Sequence, residues 1–236
     1  MPDPSGALIL RADYEEATQY LAAYMGLIVE QARQRGFAVI DLHGVDATKT
    51  NFFDALQTSD PLLVIAGGHG NDNVFAGQNG EVVLEGCTND QIMSGRQGIF
   101  NSCSVGVALG PSMVSKTAEL FAGWRADYLF MLEEPMPEDP FQDVYARPFM
   151  ECIIQPGMTR VNGGSKQQIY ADTIAKFNYH LNQWWNSDDP FAQDVITLLL
   201  HDRDNFMVSG IYTPTILGNT ALPILAVAGA ILFLGG

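Results

Sequence analysis

The 236-residue chain carries 27 acidic against 12 basic side chains, a formal charge of −15, which argues against a nucleic-acid partner because phosphate binding needs clustered Lys and Arg. The length fits one α/β domain with a modest extension, and 47% hydrophobic residues are enough for a sizeable core. Cys87, Cys103 and Cys152 are an odd number in a mid-sized chain, which points away from a disulfide framework and toward a reducing, cytoplasmic setting.

In chain order, Ala7 to Arg11 (ALILR) predicts a short strand, and Glu15 to Arg35 a helix with Ala17, Leu21, Tyr24, Ile28 and Ala32 on one face. Gly36 closes that helix. Phe37 to Asp41 predicts a second strand, and Asp46 can cap a helix that buries Phe52, Phe53 and Leu56. Pro61 restarts the chain as a third strand, Leu62 to Gly67. Val74 to Leu84 has the pattern of a hairpin turning at Asn79-Gly80. Gln97 to Ser102 predicts the fourth strand, followed by a helix carrying Met113, Thr117, Leu120, Phe121 and Trp124 at helical spacing. Tyr128 to Leu132 predicts the fifth strand. Beyond the acidic, Pro-rich run Glu133 to Pro140, helical patterns cover Phe141 to Ile154, Lys166 to Trp185 and Phe191 to His201.

Strands buried on both faces and alternating with helices imply a mostly parallel sheet, a three-layer α/β fold with helices on both sides. Residues 1–204 form this domain. Residues 205–236 are an uncharged, apolar tail. As a helix, Ala221 to Gly236 would span about 24 Å, short of the roughly 30 Å hydrocarbon core, although a start at Ile216 closes the gap. A membrane anchor, a buried C-terminal segment and an oligomer contact all fit that composition. The N-terminal Met-Pro-Asp-Pro-Ser-Gly has neither the basic start nor the apolar run of a signal peptide.

Two residues carry the chemistry. In an open parallel sheet the crevice lies beyond the carboxyl ends of the strands. His69 follows the third strand in Gly67-Gly68-His69-Gly70, and Cys103 follows the fourth in Asn101-Ser102-Cys103-Ser104. A Cys after a buried strand is ordinarily a small core residue, and it is the pairing with a Gly-flanked His that makes a nucleophile and its base, if the third and fourth strands are neighbours. An imidazole can deprotonate the thiol and later protonate a leaving amine. Small neighbours leave the Gly70 and Cys103 amides free to meet an oxyanion.

These segments, LLVIAGGHGNDNVFAGQNGEVVL and then GIFNSCSVG, together with the first two strand-helix units, resemble the caspase-like cysteine peptidases, the group of caspases, metacaspases, gingipains and CHAT proteases. The resemblance covers roughly Gly6 to Leu132 and weakens toward Trp185. It implies the caspase-like fold and a cysteine endopeptidase with His69 as general base, Cys103 as nucleophile and Gly70 with Cys103 as the oxyanion hole. Peptides or proteins would be the substrates, with no cofactor and no metal. Metacaspases usually place an Asp two residues before the Cys, where this chain has Asn101. Asn101 and Asp13, just after the first strand, are candidate substrate-pocket residues, and Glu133, Glu134, Glu138 and Asp139 could add charge there or form a solvated loop.

A catalytically silent caspase-like scaffold, or a subunit of a membrane-associated complex that uses the tail for contact, is the alternative. His43, after the second strand, is a distant rival base. Gly68-His69-Gly70 lacks the third glycine of a dinucleotide fingerprint, and no Walker loop, HExxH helix or paired-Cys zinc spacing occurs. Asn71, Asp72 and Asn73 read as a polar turn.

Overall fold

The structure, a computed structural model, describes residues 6–210, so the anchor expected from Ala221 to Gly236 lies outside the described residues. In chain order the elements are β1 (Ala7–Arg11), α1 (Glu16–Gln34), β2 (Val39–His43), α2 (Lys49–Ser59), β3 (Leu63–Gly67), β4 (His69–Gly70), β5 (Val74–Ala76), β6 (Val82–Glu85) and β7 (Gln97–Asn101). They continue with α3 (Leu109–Ser115), β8 (Leu120–Trp124), α4 (Ala146–Val161), α5 (Lys166–Trp185), α6 (Ala192–Asn205) and β9 (Phe206–Ser209). The main sheet has the order β2-β1-β3-β7-β8-β9. All its pairs are parallel except β8 with β9. β4, β5 and β6 form a small antiparallel sheet beside it.

The period of two along each strand sorts the core into two layers. Ile9, Ile65, Ile99 and Ala122 form one row across four strands and belong to the core shared with α1, α4, α5 and α6. Leu10, Ala66 and Phe100 form the next row and pack against α2, α3 and the small sheet. This is the mostly parallel, helix-flanked sheet that the sequence predicts. Gly67 has no side chain for a reason of space: a Cβ there would stand 2.2 Å from the Met25 sulfur of α1.

Several boundaries differ from expectation. Leu120 to Trp124, read as part of a helical face with Met113 and Thr117, is β8. All five residues are buried, and a run buried on both faces has no period that separates strand from helix. The preceding helix stops at Ser115, and Thr117 turns the chain with a left-handed φ of 70°. Tyr128 to Leu132, expected as the fifth strand, is irregular. Its amides are taken elsewhere, Tyr128 N–H by the Cys103 sulfur and Leu129 N–H by Asp202 Oδ1. Thr48, rather than Asp46, caps α2 by accepting the Asn51 N–H, while Asp46 sits in a 3-10 turn. The second strand lies two residues later than predicted, and the helix expected from Phe141 begins at Ala146. Phe206 to Ser209, assigned to the apolar tail by composition, are β9 of the main sheet.

Candidate active site

β3 and β7 lie side by side, in register from Leu63↔Gln97 to Gly67↔Asn101. Paired strands are about 5 Å apart, so positions counted equally beyond the last pair remain neighbours. His69 and Cys103 each stand two residues past that pair. The Gly68 N–H donates to the Asn101 carbonyl at 3.3 Å, extending the contact one step further. Both side chains then line one cavity of about 150 Å³, with Ala17 and Leu21 of α1 and Met150 and Ile153 of α4 in its walls. A larger groove of about 690 Å³ between α1, α4 and α5 contains neither of them.

A tight turn presents the thiol. Ser104 adopts a left-handed φ of 55°, a conformation that costs an L-residue about 1–2 kcal/mol. It is held there by its N–H on the Ala126 carbonyl at 2.9 Å and its hydroxyl on the Asp127 carboxylate at 2.8 Å. The half-buried Cys103 sulfur accepts the Tyr128 N–H at 3.4 Å. Burial pushes the Cys103 pKa up, the Tyr128 N–H pulls it down, and the Asp127 and Asp202 carboxylates push it up further. Asp202 is itself raised by burial to about 9, so its charge acts on the sulfur only in alkaline solution. At neutral pH Cys103 is a thiol that needs a base.

His69 Nε2 lies 2.5 Å from Glu15 Oε1, and the Tyr14 ring meets the imidazole edge-on with centroids 6.0 Å apart. Glu15 is the residue immediately before α1, on the loop leaving β1. Since β1, β3 and β7 are adjacent, three neighbouring strand ends supply carboxylate, imidazole and thiol in that order. Sequence reasoning missed Glu15. Its signal is an acid a few residues past the first strand, a description that Asp13 meets equally. The Asp13 carboxylate is engaged by His43 Nε2 at 2.9 Å, and its backbone by the Gln78 amide. Neither Asp13 nor His43 lines the cavity, and neither do Glu133, Glu134, Glu138 or Asp139.

Two backbone amides flank His69 and the thiol turn, that of Cys103 on the cavity lining and that of Gly70 outside it. The Asn71 N–H bonds the Val74 carbonyl at 3.0 Å. The alternation of an antiparallel ladder therefore makes Gly70↔Phe75 a non-bonded pair, with its amide directed off the free edge of β4. Gly70 also packs so closely on the turn after β7 that a Cβ would meet the Cys103 carbonyl oxygen at 2.6 Å. The Cys103 N–H has no protein acceptor among the described residues. Asn101 is fully buried, lines the cavity, and neither its Nδ2 nor its Oδ1 has a partner among the described residues. Cys87 is exposed beside Ser112, and Cys152 is buried in α4. Among the described residues no group of three or more His, Cys, Asp or Glu could hold a metal ion, and no helix is long and apolar enough to cross a membrane.

No protein-family model matches the chain, and no curated protein matches it. Among solved structures it is similar to the complex of Porphyromonas gingivalis RgpB pro- and mature domains, with a TM-score of 0.52 and 13% identity. The match covers 87% of this chain and 47% of that one, so the chain spans about half the length of its solved neighbour. A likeness at that identity shows the fold, which is the caspase-like α/β fold.

Proposed function

We propose that the chain is a cysteine endopeptidase in which Cys103 and His69 hydrolyse peptide bonds. The observation that carries this reading is the shared position of the two residues, two steps beyond one rung of the sheet and on one cavity. With Nε2 engaged by Glu15, the imidazole keeps Nδ1 for proton transfer, and the carboxylate stabilises the imidazolium that forms.

The Cys103 sulfur attacks the peptide carbonyl carbon as its proton passes to His69. The C–S bond forms, and the carbonyl oxygen takes the electron pair, accepting hydrogen bonds from the Cys103 and Gly70 amides. On collapse the C–N bond breaks, and His69 returns the proton to the leaving amine. A water, deprotonated by the same imidazole, then attacks the thioester and releases the acid and the free thiol. The raised pKa of Cys103 makes that first proton transfer a necessary step rather than a prior equilibrium.

The test is cleavage of a mixed peptide library read by mass spectrometry. Defined cut sites that vanish in both Cys103→Ala and His69→Ala are the expected result. Cleavage that survives either substitution would overturn the reading.

A further inference from the structure

Asn101 is buried without need of the core. It is fully buried, yet neither end of its carboxamide has a partner among the described residues. Leaving a buried polar group unpaired costs about 1–3 kcal/mol, so such a residue is retained for what it can bind. Strand alternation places it on the face of Ile99, toward α1 and α4, where the cavity walls lie. Those walls are mainly apolar, with Leu21, Phe130, Met150 and Ile153 among them, and they also carry Thr18, Tyr128 and the buried, unpartnered Ser102 hydroxyl beside His69 and the Cys103 thiol. The cavity contains no Asp, Glu, Lys or Arg.

We infer that this cavity is the specificity pocket for the residue whose carbonyl Cys103 attacks, and that Asn101 selects a carboxamide there, glutamine or asparagine. The inference rests on the peptidase reading and narrows its substrate class. A carboxamide presents an NH2 group that donates and a carbonyl oxygen that accepts, and Asn101 presents the complementary oxygen and NH2, so each end of the Asn101 side chain gains a partner at once. An Arg or Lys side chain would enter a site with no carboxylate to meet it, and an Asp or Glu one with no cation, each losing hydration without compensation. A Leu side chain would fit the walls and leave Asn101 unpaired. Sites built to hydrogen-bond a substrate group reject analogues that lack it far better than apolar pockets reject extra methylenes.

The experiment uses peptidyl acyloxymethyl ketones that differ only in that residue, Gln, Asn, Leu, Arg or Asp, with labelling of Cys103 in the full chain followed by mass spectrometry. Gln or Asn should label at least about tenfold faster than the other three. Asn101→Leu should bring Leu level with Gln, and Asn101→Asp should raise Arg above Gln. Equal rates for Leu or Arg in the wild-type chain, or an order unchanged by Asn101→Leu, overturn the assignment whether or not the variants are stable, since the wild-type panel decides alone. Peptide turnover after Arg or Asp would uphold the peptidase reading and sink the carboxamide pocket. The expected order of labelling with no turnover of any peptide would uphold the pocket and sink the peptidase reading.

Discussion

Two histidine–carboxylate pairs stand at the carboxyl ends of the same sheet, Asp13 with His43 and Glu15 with His69, at 2.9 and 2.5 Å. They use alternate residues of one loop after β1 and the ends of the two strands that flank it. Their imidazoles are about equally exposed, 45% and 44%. What separates them is the next strand out. β3 has β7 on its far side, so His69 shares a cavity with Cys103. β2 is the edge of the sheet, so His43 has no further strand end to react with. A histidine held by a carboxylate is therefore no signature of catalysis, and the topology decides which pair can act.

Substitutions on the two sides should behave oppositely. Cys103→Ala and His69→Ala should each lower peptide hydrolysis by about 10⁴-fold or more, while His43→Ala should leave it within about twofold. Comparable losses from His43 and His69 would erase the distinction. Gly70→Ala should cost about 10²-fold in turnover, because the new Cβ would meet the Cys103 carbonyl oxygen at 2.6 Å and displace one oxyanion donor. Its thermal unfolding checks that the fold survives. Glu15→Gln should cost about 10- to 100-fold by loosening the imidazole, and Asp13→Asn should cost nothing measurable. Equal effects would place the working carboxylate wrongly.

The smallest expected effect concerns the charge behind the thiol. Burial raises the Asp202 carboxyl to about 9, so between about pH 4, its ordinary unfolded value, and 9 the folded chain holds a proton that the unfolded chain has lost. Its contribution to stability thus falls as pH rises through that window. Asp202→Asn should remove this dependence, so that the stability difference from wild type grows toward pH 9 and levels above it. The same variant should lower the alkaline alkylation pKa of Cys103, since the Asp202 charge raises it. Parallel denaturation curves at pH 6 and 9 would contradict this.

Much of the arrangement was legible in the sequence because it rests on local signals. β1, β3 and β7 are short apolar runs with clear punctuation, and His69 and Cys103 follow two of them at the positions where a parallel sheet opens to ligand. Asn79-Gly80 marked the hairpin, and both residues have positive φ, 54° and 74°. What was not legible depends on neighbours distant in sequence. Leu120 to Trp124 has no period because helices and β9 bury it from every side, so it could be read as a helix. Tyr128 to Leu132 is apolar like a strand, yet its amides go to Cys103 and Asp202, the latter 73 positions away from Leu129. Glu15 and Asp13 are both acids after β1, and only the packing of α1 on β3 tells which one faces His69.

The central claim is that His69, and no other histidine, activates Cys103. One measurement meets it directly: labelling of the full chain by a peptidyl acyloxymethyl ketone at neutral pH, with the modified cysteine identified by mass spectrometry in wild type, His69→Ala and His43→Ala. The account predicts modification of Cys103 alone, lost in His69→Ala and unchanged in His43→Ala. Labelling that falls equally on the exposed Cys87, or that persists on Cys103 without His69, would contradict it.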